Sequence, residues 1–301
     1  MANLLKISGF QVLRKWEEVI APLPVPLFSD FANRYLAKIP PLRFLSMANF
    51  TLARPLNKLI IDNPTVSVIV PARNESGHIE DLMVRIPEMG GGTEIVFVEG
   101  NSTDDTYEVI ERSIATHPYR NCKLLKQPGK GKGDAVRAGF DIAKGDILMI
   151  LDADITVPPE DLPRFYTLLE NGSAEFVNGV RLVYPMEDDA MRFANQIGNK
   201  FFSWAFSWLL GQPIRDTLCG TKVLWRKDYQ RIASNRSYFG DFDPFGDFDL
   251  LFGAARLNLK LMEVPIRYRT RCYGETNISR WRHGWLLLKM VVFAARRIKF
   301  I

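Results

Sequence analysis

Short apolar runs alternate with helical patterns along the middle of the chain. Four runs, VSVIV, EIVFV, NCKLL and DILMIL, are each followed by residues with helical spacing, near 75–86, 104–114, 133–143 and 159–169. Apolar runs of this kind are typical of strands that are buried on both faces. The pattern therefore predicts an α/β fold of the Rossmann-like kind, with a mostly parallel sheet and helices on both faces.

Beyond Glu175 the alternation of apolar runs and helical patterns becomes less regular. It predicts a strand in EFVNGVRLV, a long aromatic helix over about residues 188–210 and a further strand in LKLMEVPIRY. The segment DTLCGTKVLW and a helix starting near Gly246 lie between them, and a terminal helix starts near Ile278. We assign residues 63–301 to one domain, in which residues 276–301 form an amphipathic C-terminal helix.

The N-terminal segment differs from the rest of the chain in its high proline content. Seven of the 18 prolines fall within the first 64 residues. Because proline interrupts helices and introduces turns, this density predicts short helices cut by turns. We therefore predict a helical, proline-rich extension over residues 1–62.

Composition narrows the class of protein. The chain has 301 residues, 47% of them hydrophobic, and a net charge of +5. These values exclude a disordered, collagen-like or coiled-coil protein and are compatible with an anionic small molecule, a phospholipid surface or nucleic acid, without selecting one of them. The three cysteines form no CxxC pair, and no apolar stretch reaches the roughly 18 residues that span a bilayer, so we expect a cytoplasmic protein without structural zinc.

Polar residues follow each of the four predicted strands. Ligands of open α/β sheets bind at the carboxyl ends of the strands, so these residues are candidates for chemistry. Asp152 and Asp154 are the sharpest pair, because two carboxylates after a buried strand can share Mg²⁺ or Mn²⁺. An equally simple interpretation is that they cap the following helix. The other strand ends carry PARNE, EGNSTDD and GKGKGD.

The glycine-lysine run GKGKG suggests a phosphate-binding loop or, alternatively, a solvated basic turn. It does not match a Walker A motif, and the absence of GxGxxG after the first strand disfavours a dehydrogenase. The repeated FGDFD segment is not a calcium loop, because Phe245 stands where a ligand is needed. Its aspartates form either an active-site loop or a structural turn.

Seven ordered motifs carry a resemblance to a known family. VSVIVPARNE, EIVFVEGNSTDDT, GKGDAVRAG, GDILMILDAD, DTLCGTKVLWR, FGDFDLL and YGETNIS occur in the order seen in family 2 glycosyltransferases. The stretch from about Val66 to Arg280 is similar to the branch of dolichyl/polyprenyl-phosphate sugar transferases. The resemblance implies a GT-A fold, a UDP- or GDP-sugar donor, a divalent metal and an inverting hexosyl transfer.

The resemblance also implies roles for individual residues. For the nucleotide they are Pro71, Ala72, Asn74, Glu75, Glu99, Lys132 and Asp152; for the metal, Asp152 and Asp154; for the acceptor phosphate, Arg181, Arg192 and Arg271. Glu99-Gly100 stands where the family usually has two aspartates, which leaves the identity of the base open.

The acceptor decides whether a general base is needed. A hydroxyl acceptor requires a carboxylate to take its proton, and Asp216 is the candidate, with Asp247 and Asp249 as rivals. A lipid phosphate is already anionic, so arginines must hold it and no base is required. We favour a lipid-linked acceptor, a polyprenyl phosphate in the terms of the resemblance, and a saccharide hydroxyl is the alternative. A sugar-phosphate nucleotidyltransferase is a further alternative, disfavoured because PARNE contains no glycine.

The C-terminal helix bears on the membrane. Arg282, Lys289 and Arg296 fall on one line, with Leu287, Met290, Val291, Ala294 and Ile298 opposite. Such a helix lies on an anionic leaflet or packs its apolar face on the domain. We expect the protein at the cytoplasmic face of the membrane as a peripheral protein, with a nucleotide sugar and a lipid or glycan acceptor as partners and no nucleic acid.

Overall fold

The computed structural model describes residues 2–56, 61–181, 193–236, 248–267 and 280–300. Within these ranges a seven-stranded sheet has the order β5-β4-β3-β6-β8-β7-β9. The strands are β3 (Val66–Ala72), β4 (Thr93–Glu99), β5 (Asn121–Lys126), β6 (Ile147–Ile150), β7 (Phe176–Val180), β8 (Lys222–Trp225) and β9 (Leu261–Pro265). The prediction of a mostly parallel α/β sheet is confirmed.

One strand of the described sheet, β8, runs against its neighbours. It pairs antiparallel with both β6 and β7, whereas β7 pairs parallel with β9 and β3 pairs parallel with β4 and β6. Its first residue, Lys222, therefore lies at the edge where the parallel strands end. The segment that precedes β8 therefore also lies at that edge.

Helices cover both faces of the sheet. They are α3 (Ile79–Arg85), α4 (Thr106–Thr116), α5 (Lys132–Ile142), α6 (Leu162–Glu170), α7 (Phe193–Leu210), α8 (Arg226–Ser234), α9 (Phe248–Arg256) and α10 (Arg280–Ala294). Alternate residues of β3 enter opposite cores: Val68 and Val70 pack with α3 and α6, whereas Ile69 packs on the side of α5 and α7. Burial on both faces explains the unbroken apolar runs in the sequence.

The N-terminal extension differs from its prediction. It contains the helices α1 (Ala2–Ile7) and α2 (Phe28–Arg34), but its main feature is an antiparallel pair of strands, β1 (Phe10–Glu18) and β2 (Ala48–Pro55). Trp16 lies opposite Phe50 in the register, and their rings stack at 5.4 Å. The helices α1 and α2 agree with the prediction of short helices cut by turns, but the prediction missed the strand pair, because five of the prolines lie in the connection between the strands, where they interrupt neither.

The C-terminal helix packs on the domain. Leu287, Met290 and Ala294 are buried in the core on the α7 side of the sheet, and Val291 and Ile298 are partly buried against it. A π-helical turn, Ala295–Lys299, follows α10. The apolar stripe of this helix is therefore not available to a membrane. No helix within the described ranges combines the length and apolar character needed to cross a bilayer.

Candidate functional site

The carboxyl edge of the sheet gathers the loops that follow β3 and β4. Asn74, with a positive φ of 57°, donates its backbone N–H to Ser102 Oγ and accepts from Thr103 N through Oδ1. The Glu75 N–H donates to Thr106 Oγ1, and the buried Glu99 accepts from Ser102 N. These bonds hold the two loops together, so the residues predicted to line a nucleoside lie side by side, next to Pro71 and Ala72 at the end of β3.

The GKGKG loop closes on an acidic side chain of its own helix. Asp134 Oδ2 accepts from Gly129 N at 2.9 Å and from Gln127 Nε2 at 3.0 Å. Gln127 Nε2 also donates to Gly131 O at 2.7 Å. The loop is therefore a folded turn, and it brings Lys132, the first residue of α5, to the end of β6.

Asp152 lies among three cations. Its Oδ1 is 2.5 Å from Lys132 Nζ. Burial by itself raises the pKa of Asp152, but the charges of Lys132, Lys222 and Arg181 outweigh burial, and the pKa is lowered. The carboxylate is therefore ionised at neutral pH and sits in a field that attracts further anions, such as phosphate groups.

Gly220 packs directly on this pair. A Cβ added at Gly220 would overlap Asp152 Oδ2 and Lys132 Nζ. The residue therefore has to be glycine for the segment that precedes β8 to pass over the carboxylate. Lys222, two residues later, is fully buried and donates from Nζ to Cys219 O at 2.5 Å.

The Asp152/Asp154 pair fits a hard divalent cation in its donor chemistry. Asp154 Oδ1 accepts from Thr156 N and Oγ1, which forms a turn within the loop, and neither helical element that follows in the described structure has a side-chain cap. Within the described residues no group of three or more histidines, cysteines or acids forms a metal cage. Mg²⁺ is commonly held by one or two carboxylates together with substrate phosphates, so two carboxylates are a sufficient protein contribution. Lys132 Nζ lies next to Asp152 Oδ1, so this oxygen already faces a positive charge.

Asp216 and Arg181 form a buried ion pair. Arg181 donates from Nε to Oδ2 at 2.7 Å and from Nη2 to Oδ1 at 2.9 Å, and its backbone N–H also reaches Oδ2. Oδ1 accepts a fourth bond from Leu218 N. Burial raises the pKa of Asp216, but Arg181 and the backbone donors outweigh it and lower the pKa. Both oxygens of Asp216 are thus engaged in fixing the guanidinium at the end of β7.

Asp249 lies elsewhere. Its Oδ2 pairs with Arg236 Nε at 3.1 Å, and Arg236 in turn contacts Tyr229, whose hydroxyl approaches Asp141. Asp141 is near the C-terminal end of α5, whereas Lys132 opens that helix, so roughly 14 Å of helix separates the two. Asp247, Arg192 and Arg271 lie outside the described residues.

Sequence reasoning missed Lys222. The signal that could have found it is a single charged residue inside the apolar run TKVLW, because a lysine is rarely buried without a partner. The Arg181–Asp216 pair was also missed as a pair, although both residues were singled out separately.

The doubly covered, mostly parallel sheet, with carboxylates and cations gathered at its strand ends, has the layout of an α/β protein that binds its ligand at the carboxyl edge. Residues 67–239 match glycosyl transferase family 2. That match covers more than half of the chain, so the chain belongs to glycosyl transferase family 2, as the resemblance predicted.

Relatives with assigned activities agree with this family. The chain is 37% identical over 247 residues to a dolichol-phosphate mannosyltransferase of Pyrococcus furiosus, covering 78% of this chain and 67% of the relative. It is 33% identical over 215 residues to an undecaprenyl-phosphate 4-deoxy-4-formamido-L-arabinose transferase of Edwardsiella ictaluri, covering 70% and 62%. The chain thus spans about two thirds of the length of these relatives.

A solved structure supports the fold. Glucosyl-3-phosphoglycerate synthase from Mycobacterium tuberculosis, in a complex with Mn²⁺, UDP and glucosyl-3-phosphoglycerate, superposes with a TM-score of 0.56 at 20% identity, over 78% of this chain and 80% of that one. At this identity the likeness shows the fold alone.

Proposed function

We propose that this chain transfers a hexose from a nucleotide-diphosphate sugar to a polyprenyl phosphate, with inversion at the anomeric carbon. The observation that carries the proposal is the Arg181–Asp216 ion pair beside Asp152. The names of the dolichol- and undecaprenyl-phosphate relatives support the acceptor class.

The ion pair favours an anionic acceptor over a hydroxyl. A general base needs an oxygen that is open to the proton it takes, and a pKa near the working pH. The two oxygens of Asp216 together accept four hydrogen bonds, and its pKa is lowered. Asp216 is therefore suited to hold Arg181 in position, and Arg181 is suited to hold a phosphate, whose oxygen needs no deprotonation.

Residues at the strand ends support the proposal that a nucleotide-sugar donor binds there. Asn74, Glu75 and Glu99 are organised by hydrogen bonds at the ends of β3 and β4, where the nucleoside of the donor is proposed to lie. Lys132 and Lys222 add positive charge next to Asp152. These cations would attract the diphosphate of the donor.

Asp152 and Asp154 would hold Mg²⁺ or Mn²⁺. When bound, the cation neutralises the charge that develops on the departing diphosphate. In the transfer itself, an oxygen of the acceptor phosphate forms a bond to C1 of the sugar while the bond from C1 to the diphosphate breaks. Nucleoside diphosphate leaves with that bonding pair, and Arg181 keeps the acceptor phosphate aligned for attack from the opposite face.

A peripheral position at the cytoplasmic face of the membrane follows from the acceptor, and the surface offers a contact for it. Phe201 and Trp204 on α7 and Trp285 on α10 are about half exposed, at 46%, 55% and 60%. The helices α7 and α10 contact each other. Aromatic side chains of this kind are favoured at membrane interfaces.

The experiment is nucleoside diphosphate release from UDP- and GDP-sugars with Mg²⁺ or Mn²⁺, with and without polyprenyl phosphate, in wild type and Asp216→Asn. We expect release to require both metal and lipid. Asp216→Asn should raise the acceptor KM about tenfold, because it weakens the hydrogen bonds that hold Arg181 in position. It should change kcat little, because the proposed reaction needs no general base.

Asp228→Asn is the matched control. Asp228 is equally buried and pairs with Arg231 on α8, away from the strand ends. It should leave both KM and kcat unchanged. If Asp216→Asn instead lowered kcat by roughly 10²–10⁴ at constant KM and removed the basic limb of the pH profile, Asp216 would be a general base and the acceptor a hydroxyl.

A further inference from the structure

A second basic pocket lies between the N-terminal extension and the ends of α7 and the C-terminal π turn. Its volume is about 430 Å³, within the range of ligand sites. Trp208 donates from Nε1 to Lys38 O at 2.7 Å, which fixes the extension to α7, and the rings of Tyr35 and Phe300 pack at 5.6 Å. The pocket is therefore walled by ordered contacts.

The pocket is at the opposite edge of the sheet from the strand-end site. Gln212, which lines it, donates to Leu259 O and accepts from Leu261 N, at the point where β9 begins. Because β9 is parallel to β7, its first residue lies at the amino edge. Asp152 follows β6 at the carboxyl edge, so the two sites share no residue.

Positive charge dominates the lining. Five basic residues face two acidic ones, Glu17 and Glu18; the basic residues are Arg14, Lys15, Lys38, Arg43 and Lys299. Within the described ranges, none of these five makes an ion pair inside 4.0 Å. Like charges have thus been brought together, and Glu17 and Glu18 balance only part of them.

Two donor atoms of residues that line this pocket are buried and have no hydrogen-bond partner in the described part of the chain. They are the Nε atoms of Arg14 and Arg43. Burial, then repulsion by Arg14 and Lys38, lowers the pKa of Lys299 to about 8, although Glu17 opposes the shift. Buried donors without acceptors are rare in folded proteins, and a bound anion is one arrangement that would satisfy them.

We propose that this pocket binds the phosphate group of an anionic ligand, separately from sugar transfer. Guanidinium and ammonium groups together match the oxygens of a phosphate. An apolar rim lies beside it: the turn Arg43–Leu45 leaves Phe44 and Leu45 80% and 64% exposed, and Met47 is 70% exposed. This rim would meet the acyl chains of a phospholipid whose headgroup phosphate enters the pocket, while a soluble phosphate ester offers the same charged group without the chains.

The test separates those two sources. Binding of inorganic phosphate and glycerol 3-phosphate is measured by calorimetry, and binding to vesicles by co-sedimentation, comparing phosphatidylglycerol-containing with pure phosphatidylcholine vesicles. Arg43→Gln and Lys299→Gln should each weaken binding about tenfold, since each removes a charged hydrogen bond. Arg112→Gln is the matched control, because Arg112 is an exposed arginine on α4 and does not line the pocket.

Selective loss of vesicle binding in the two pocket variants identifies a lipid headgroup, and selective loss of soluble phosphate binding identifies a soluble ester; both outcomes support the pocket. Equal affinities in wild type and pocket variants, or the same loss in Arg112→Gln, overturn it. Near-UV circular dichroism and melting curves confirm that each variant is folded.

Titrations in Lys132→Gln show whether the phosphate binds at the strand-end site instead. Unchanged affinity supports the second pocket, and a loss confined to Lys132→Gln overturns it. None of these readouts uses sugar transfer, so the result is independent of the proposed function.

Discussion

The strand-end site and the pocket at the extension are both rich in cations, but they balance their charge differently. At the strand ends, Lys132 pairs with Asp152 and Arg181 pairs with Asp216. In the pocket, Arg14, Arg43 and Lys299 lie together without an ion pair in the described structure. The first arrangement aligns its cations before any ligand arrives, whereas the second leaves its balancing charge to be supplied from outside.

The difference has a consequence for stability. Removing a cation from the first site leaves a buried carboxylate unpaired, which costs free energy. Removing a cation from the second relieves desolvation and repulsion. Substitutions of the same kind should therefore act with opposite sign at the two sites.

The largest effect is expected for Arg181→Met. The variant leaves the buried Asp216 without its guanidinium and with only two backbone N–H donors, and we expect a loss of about 3–5 kcal/mol in the free energy of unfolding, measured by urea denaturation. The double variant Arg181→Met/Asp216→Leu should recover most of that loss. A double variant as unstable as Arg181→Met would show that the loss does not come from an unpaired Asp216.

The same pair predicts a pH dependence. Because the folded-state pKa of Asp216 is below its ordinary value of 3.8, the unfolded state binds the proton more readily. The stability that the pair contributes is thus complete at pH values above the unfolded pKa and is lost as the pH falls through the folded one. The double variant lacks this titration, so wild type should lose stability relative to it as the pH falls, whereas a difference that does not change with pH would contradict the shift.

Gly220→Ala comes next. Its Cβ would push Asp152 and Lys132 apart, and a displacement of about 1 Å at a reacting centre can lower the rate about 100-fold. The measurement is kcat with the preferred donor and acceptor. Gly198→Ala is the control, since no atom lies within 4 Å of its added Cβ, and it should keep full activity.

The smallest effect is expected for Lys299→Met, and it should be stabilising. The pKa of Lys299 is lowered by burial and by nearby cations to about 8, against 10.5 in the unfolded chain. The charged lysine therefore destabilises the fold fully below pH 8, and the penalty fades as the pH rises towards 10.5. We expect a gain on the order of 1 kcal/mol at pH 7, allowing for partial exposure. A stability gain that is the same at pH 7 and pH 10.5 would show that the side chain acts by packing.

The strand-end site was predictable to the extent that it is local in sequence. Each of the strands β3 to β6 is an apolar run that is followed directly by polar residues. The alternation of these runs along the sequence therefore predicts both the sheet and the residues at its carboxyl edge. The placement of Asp152 next to Lys132 follows from that topology. The side chains of Asn74 and Glu99 lie there for the same reason.

The pairing of Arg181 with Asp216 could not be predicted, because 35 residues separate the two and their contact depends on how β7 and β8 pair. The extension was misjudged for a related reason. Its prolines report local turns, whereas β1 and β2 are stabilised by pairing with each other across about 30 residues. The Arg192, Arg271 and Asp247 predictions stay predictions.

The reversed strand β8 affects the order in which the sheet can be completed during synthesis. The apolar strand β6 pairs with β3 on one side, and its other edge is covered by β8, whose first residue follows 75 positions after Ile147. At about 5–20 residues per second, a ribosome needs roughly 4–15 s to make that interval. For that time the sequence ILMI presents an open strand edge, the kind of surface that invites aggregation. A chain arrested before Lys222 would therefore be the species most in need of a chaperone.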